Sequence, residues 1–123
     1  MSEPIVRPRV LIVESDESVR RVLVRMLAPR FEVTPLGSGA SAIGRLNEER
    51  FDLLIIDMSL SDMRAEQVVR VARARDARLP IIVTSASVVC EGTARELGAF
   101  ACLAKPFHAA ALRALVGQAL AHG

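Results

Sequence analysis

Apolar runs alternate along the chain with amphipathic stretches, and this alternation predicts five strands and five helices. Beyond the strands, apolar residues recur at intervals of three and four, which is typical of helices packed against a sheet. The predicted strands cover 9–13, 31–35, 51–57, 81–83 and 100–103. The first predicted helix ends before Pro29, and the next three cover 40–49, 64–75 and about 88–97. The last helix runs from about 108 almost to Gly123. Right-handed crossovers then give a parallel sheet with helices on both faces, a (βα)5 architecture.

Each predicted helix carries one apolar stripe for the core. The stripes are Val19, Val22, Leu23, Met26 and Leu27; Ala40, Ile43 and Leu46; Val68, Val71 and Ala72; and Leu112, Leu115, Val116, Ala119 and Leu120. The fourth helix has the weakest signal, because Gly92 lies inside it and Gly98 ends it.

The third strand is the most apolar, and the site is organised around it. Its run 53–56 has no polar break, which is typical of a central strand buried on both faces. It ends at Asp57, so this carboxylate lies at the carboxyl edge of the sheet, where open α/β sheets bind ligands. The second strand is weaker and is closed by Pro35, which favours an edge position.

Polar side chains follow four of the five strands and meet at that edge. They are Glu14, Ser15 and Asp16 after strand one, Asp57 after strand three, Ser85 after strand four and Lys105 after strand five. Carboxylates act as nucleophiles and bind Mg²⁺, while a cation and a hydroxyl stabilise phosphoryl oxygens, so this set indicates phosphoryl chemistry. Simpler interpretations remain open, with Asp57 as a loop cap, Ser85 as a helix cap and His108 and His122 as a helix-start and a tail residue.

Lys105 is the only lysine, although Lys and Arg together number 16. A compact ammonium kept at one strand end, before Pro106, favours a functional role, although chance in an arginine-rich chain also explains it.

Composition narrows the classes of protein. A chain of 123 residues is one domain, with 1–8 expected as a flexible leader and 9–123 as the folded part. The net charge of +2 is too small to indicate nucleic acid. No apolar run reaches the ~18 residues of a membrane span and no signal peptide is visible, so we expect a cytoplasmic protein. Cys90 and Cys102 are too few for a disulfide framework or a zinc site.

The sequence resembles the receiver domain of two-component response regulators over nearly its whole length. The matching marks are Val10-Leu11-Ile12-Val13 with the acids after it, Asp57, Met63, Pro80-Ile81-Ile82-Val83-Thr84-Ser85-Ala86, Gly98-Ala99 and Lys105-Pro106-Phe107. The resemblance implies a flavodoxin-like sheet of order 2-1-3-4-5, in which Asp57 accepts a phosphoryl group from a histidine kinase. It implies that Ser85 and Lys105 contact that group, and that Glu14, Asp57 and the Ser59 backbone carbonyl hold Mg²⁺, with Ser15 or Asp16 as further candidates.

Three departures from the family change these expectations. Glu14-Ser15 stands where the family has two adjacent acids, so we expect Mg²⁺ binding to be weakened or absent. Ser61 and Ala65 stand where a Pro and a Gly are usual, which predicts a differently shaped loop. Cys102 occupies the position of a switching aromatic residue, so a ring cannot swing inward there; Ser85 and Cys102 are the expected switch positions.

Three functions follow. The first is phosphoryl acceptance at Asp57, with at most Mg²⁺-dependent self-phosphorylation and self-dephosphorylation as enzymatic activity. The second is a pseudo-receiver that binds partners without phosphorylation, and the third is a phosphatase, disfavoured because Ser59 stands where its second acid belongs. Expected partners are a sensor histidine kinase or phosphotransfer protein and, because no effector domain follows residue 123, a downstream protein bound by helix four, strand five and helix five. We expect no direct nucleic-acid or membrane contact and a monomer or weak dimer.

Overall fold

A computed structural model describes residues 6–87 and 90–122. The strands are β1 (Arg9–Val13), β2 (Glu32–Leu36), β3 (Leu53–Asp57), β4 (Ile81–Ser85) and β5 (Ala101–Ala104). The helices are α1 (Glu17–Leu27), α2 (Gly39–Glu48), α3 (Ala65–Arg75), α4 (Cys90–Glu96) and α5 (Ala109–His122). The strands pair in parallel in the order β2-β1-β3-β4-β5, which confirms the flavodoxin-like fold.

The sheet separates two apolar layers because strand side chains alternate between its faces. One layer packs Leu11, Leu54 and Ile56 against α2, α3 and α4. The other packs Ile12 and Ile55 against α1 and α5. Every residue of β3 is buried, as predicted, and β2 lies at an edge. Asp57 therefore stands at the end of a strand that packing fixes on both faces.

Two helix stripes differ from their predictions. In α2 the buried residues are Gly39, Ala42 and Leu46, and Ile43 packs against the same core, whereas Ala40 is exposed, because Gly39 and not Ala40 faces the core in the first turn. In α1, Leu23 and Leu27 are buried, but Val22 is 43% exposed and lies at the rim of the core.

Some predictions concern residues outside the described ranges. These are residues 1–5 of the expected leader, 88–89 of the predicted fourth helix, and Gly123; the side chain of His122 is also not described. None of the helices in the described ranges is long and apolar enough to cross a membrane.

Candidate functional site

The ends of β1, β3 and β5 bring three charged side chains together. Glu14 follows β1, Asp57 is the last residue of β3, and Lys105 follows β5. Glu14 is 2% exposed and Asp57 is 4% exposed. Backbone hydrogen bonds hold Glu14 and Lys105 at the ends of their strands, since Glu14 N–H donates to Leu36 O (3.0 Å) and Lys105 N–H donates to Ser85 O (2.9 Å). The predicted meeting of polar residues at this edge is what the structure shows for these three.

Lys105 bridges the two buried carboxylates, and we call Glu14, Asp57 and Lys105 the acid–lysine cluster. Its Nζ lies 2.6 Å from Glu14 Oε1 and 3.1 Å from Asp57 Oδ1. Burial is the largest influence on the ammonium and lowers the pKa of Lys105, but hydrogen bonds and charge attraction from Glu14 and Asp57 together outweigh it, so the pKa lies above its usual value of 10.5. Lys105 is therefore charged at neutral pH and offsets one of two buried negative charges.

Thr84 is a second contact of Asp57, and it was not among the site residues predicted from the sequence. Its Oγ1 donates to Asp57 Oδ1 over 3.3 Å, and the two residues are register partners in β3 and β4. The parallel register was the signal that would have found it, since the strands were correctly predicted as neighbours. These contacts all engage Oδ1, and no hydrogen bond to Oδ2 is found within the described residues.

Ser85 lies on the neighbouring strand end and is 7% exposed. Its Oγ accepts from Ser87 N–H over 3.0 Å, so the hydroxyl closes a local turn. That contact uses an acceptor lone pair of the hydroxyl rather than its proton. The structure places Ser85 beside Lys105 through the backbone, and shows no direct bond from Ser85 to Asp57 among the described residues.

Ser15 and Asp16, which follow Glu14, contact two different parts of the chain. Ser15 Oγ donates to the Ser59 carbonyl over 3.4 Å, a long contact that joins the ends of β1 and β3. Asp16 caps α1, since its Oδ1 accepts from Ser18 N–H (2.8 Å) and Val19 N–H (3.2 Å). The Asp16 carboxylate is thus engaged at the helix start rather than in the acid–lysine cluster.

The oxygen donors at this edge could hold Mg²⁺ only through a few direct ligands. Both Glu14 oxygens are already engaged, Oε1 by Lys105 (2.6 Å) and Oε2 by Asp16 N–H (3.0 Å). The Asp57 carboxylate and the Ser59 carbonyl would then be the direct ligands, with waters completing the shell, since Mg²⁺ usually keeps several waters beside one or two carboxylates. Among the residues that the structure describes, no group of three or more His, Cys, Asp or Glu is arranged to hold a metal.

The loop between β3 and α3 is fastened to the start of α2. Asp62 accepts from Gly39 N–H (2.9 Å) and Ala40 N–H (3.0 Å), and these two bonds lower the pKa of Asp62. Met63 packs so closely over Gly39 that a Cβ there would lie 2.5 Å from Met63 Cγ. We call Asp62, Met63 and Gly39 the loop anchor. It holds the segment that carries the Ser59 carbonyl.

An apolar groove opens beside Lys105, between α1 and the segment after β5. It is lined by Val19, Val22, Met26 and Phe107, together with Pro106 and the stem of Lys105. The exposure of Val22 is explained by its place in this groove.

Cys102 does not stand alone at the switch position. It forms a disulfide with Cys90 of α4, a pairing the sequence analysis did not predict. The only signal was that both cysteines fall in neighbouring predicted elements.

Comparison with known proteins gives consistent matches. The profile of the response regulator receiver domain matches residues 10–117. The chain is 36% identical over 113 residues to the response regulator receiver protein CpdR of Brucella abortus, covering 89% of this chain and 92% of that protein. It is 33% identical over 117 residues to the sensory transduction protein RegX3 of Mycolicibacterium smegmatis, covering 93% of this chain but 51% of that protein. The chain thus spans about half the length of this second relative.

Solved structures agree on the fold. The chemotaxis response regulator CheY4 of Vibrio cholerae superimposes with a TM-score of 0.85 at 24% identity, covering 93% of this chain and 99% of that chain. A CheY-like receiver domain protein from Methanospirillum hungatei gives 0.87 at 21% identity, covering 94% and 95%.

Proposed function

This chain belongs to the response regulator receiver domain family, and from that premise we propose that Asp57 accepts a phosphoryl group from the phosphohistidine of a kinase or phosphotransfer protein. The observation that carries the proposal is the acid–lysine cluster. A buried carboxylate at a strand end with one oxygen held by an ammonium at 3.1 Å is oriented for nucleophilic attack by the other.

Phosphoryl transfer to Asp57 needs only the phosphohistidine donor and the carboxylate as reactants. Asp57 Oδ2 attacks phosphorus, and the P–N bond to the donor imidazole breaks as the O–P bond forms. The imidazole, protonated at its other nitrogen, keeps the electron pair and leaves as neutral histidine. Lys105 turns from Asp57 toward the phosphoryl oxygens while it retains Glu14. The Ser85 hydroxyl donates a hydrogen bond to a phosphoryl oxygen. Mg²⁺, when bound by Asp57 and the Ser59 carbonyl, supplies further charge neutralisation.

Two small exposed residues beside the site support a short-lived phosphorylated state. Ser59 and Ser87 flank the site, and both are small and exposed, so water reaches the acyl phosphate. The domain acts as a signalling module, with hydrolysis of its own phosphoryl group as its only turnover.

Acetyl phosphate with Mg²⁺ tests the proposal. Intact-mass measurement of the wild type should show one added phosphoryl group, and Asp57→Ala should show none. Asp52→Ala, which removes an exposed carboxylate outside the cluster, is a matched control that should still be labelled. No added mass in the wild type, or labelling that survives Asp57→Ala, contradicts the proposal.

The groove beside Lys105 supports a docking site for the phosphodonor. Its lining includes Lys105, which contacts Asp57, so a helix seated there would present a histidine toward the carboxylate. Val22→Asp should slow phosphotransfer from a phosphorylated kinase and leave labelling by acetyl phosphate unchanged. Equal slowing with both donors would mean that the substitution acts on the site and not on docking.

A pseudo-receiver is the second candidate, and one observation favours it. Ser15 bonds the Ser59 carbonyl where the family has an acid, and Glu14 is already engaged, so the metal site is reduced. In that case α4, β5 and α5 bind a downstream protein without phosphorylation. Amide resonances of residues 57–59 should shift on Mg²⁺ titration if the first proposal holds; no shift at millimolar Mg²⁺, with no labelling, favours the second.

A further inference from the structure

Cys90 and Cys102 connect α4 to β5. Cys90 is the first residue of α4, and Cys102 lies within β5. The structure pairs the two cysteines, and their Cα atoms are 5.8 Å apart. That separation lies within the range of about 4.4–6.8 Å in which disulfides form without backbone movement.

We propose that Cys90 and Cys102 are a reversible thiol–disulfide site that exchanges with low-molecular-weight disulfides of the glutathione class. A single pair in a small receiver domain is not a structural framework, and a disulfide with a partly exposed sulfur is open to exchange with external thiols and disulfides. The inference does not depend on phosphorylation of Asp57.

Unequal exposure of the two cysteines orders the reaction. Cys102 is partly exposed, whereas Cys90 is 4% exposed. The Cys102 thiolate therefore attacks the external disulfide first and displaces one thiolate, which forms a mixed disulfide. The Cys90 thiolate then attacks the Cys102 sulfur and releases the second thiolate. Two cysteines are oxidised, one external disulfide is reduced to two thiols, and the two cysteine protons pass to those thiols.

The bond joins two segments that carry site residues. Cys90 follows Ser85 by five positions and Cys102 precedes Lys105 by three. The helix it secures is short, with seven residues, of which Cys90 and Ala94 are buried. A helix of this length is not stable alone, so its packing on β5 and β4 holds it, and a covalent link to β5 strengthens that attachment. The oxidised chain holds α4 on β5, and the reduced chain lets α4 open.

Equilibration with mixtures of reduced and oxidised glutathione tests the site. After acid quenching, the wild type should lose the mass of two hydrogens, regain it with excess thiol, and yield a linked 90–102 peptide. Cys90→Ala should accumulate the mixed disulfide on Cys102. Cys102→Ala should react at least about tenfold more slowly, because the buried thiol is reached only when α4 opens. Stable mixed disulfides in the wild type, linkage between chains, or no oxidation would overturn the proposal.

Hydrogen exchange tests the restraint independently of the cysteine variants. Amides of residues 91–96 should exchange about tenfold more slowly in the oxidised wild type than in the reduced wild type, while amides of β3 should be unaffected. Equal exchange of α4 in the two forms would contradict the restraint. Circular dichroism of both variants establishes that each is folded before its reactivity is compared.

Discussion

The acid–lysine cluster holds the Asp57 side chain, the loop anchor holds the segment that follows Asp57, and the two do so by different forces. The cluster buries two carboxylates at 2% and 4% exposure and balances them with one ammonium. The loop anchor relies on an exposed carboxylate at a helix start and on the close packing of Met63 over Gly39. Removing one member of a buried group of charges leaves another charge buried without a partner, which strongly destabilises the fold. The loop anchor fixes the loop only at Asp62 and Met63, so the other loop residues are less constrained.

Loss of the cluster's cation should have the largest effect. Lys105→Met leaves Glu14 and Asp57 buried together without a counter-charge, and should lower the free energy of unfolding by about 3 kcal/mol at neutral pH. Urea unfolding measures the difference. Glu14→Gln is the matched control, because Lys105 still pairs with Asp57 and the loss should be smaller. A Lys105→Met loss no larger than the control would show that the ion pairs do not hold the site.

Crowding the loop anchor should have the next largest effect. Gly39→Ala places a Cβ 2.5 Å from Met63 Cγ and 3.2 Å from Val68 Cγ2, so Met63 must move, at a cost of about 1–2 kcal/mol. Gly44→Ala in the same helix meets nothing within 4 Å and should instead stabilise by about 0.5–1 kcal/mol. Thermal unfolding of both variants measures the contrast. If Gly39→Ala is as favourable as Gly44→Ala, the loop is not held by this packing.

Restoring an acid at the junction of the two regions should raise Mg²⁺ affinity. Ser15→Asp adds a negative charge next to the Ser59 carbonyl, and two opposite charges near a protein surface attract strongly enough for a gain of about tenfold or more. Calorimetric titration with MgCl₂ measures it, with Ser15→Asn as the uncharged control of similar size. Equal affinities of the two variants would mean that charge at residue 15 does not limit the site.

The smallest effect should be a pH-dependent one at Asp62. Its two backbone hydrogen bonds lower the pKa of the folded carboxyl below the ordinary value of 3.8. The stability it contributes is therefore fully present above pH 3.8 and is lost as the pH falls through the lower folded value. The melting-temperature difference between wild type and Asp62→Asn should be constant above that pH and shrink below it. A difference that does not change with pH would contradict the charge-dependent part of the anchor.

The sequence predicted the fold well because its strongest signals are unambiguous. The unbroken apolar run of β3 and the spacing of Leu112, Val116 and Ala119 in α5 leave little choice of structure. The strand ends followed from the parallel sheet, so Asp57 and Lys105 were placed correctly at one edge. In α2 only Ala40 was misplaced: Leu46 and Ile43 lie on the core side as predicted, but Gly39 and Ala42, which carry little apolar signal in the sequence, complete the buried face.

Side-chain partners at the site were less predictable. Lys105 was expected beside Asp57, but its bridge to Glu14 depends on how far each side chain extends, which strand positions do not specify. Asp16 was a candidate ligand, yet an Asp before a helix also caps it, and only the structure shows the carboxylate engaged there. The pairing of Cys90 with Cys102 depends on how α4 lies on β5, a long-range contact that residue spacing does not encode.

Peptide mapping of the phosphorylated protein tests whether Asp57 is the phosphoryl acceptor. After phosphorylation, borohydride reduction converts an aspartyl phosphate to homoserine, which marks the acceptor residue. We expect homoserine at position 57, and an unmodified peptide in the unphosphorylated control. Homoserine at Asp16 or Asp62, or none in a sample that carries phosphoryl mass, would contradict it.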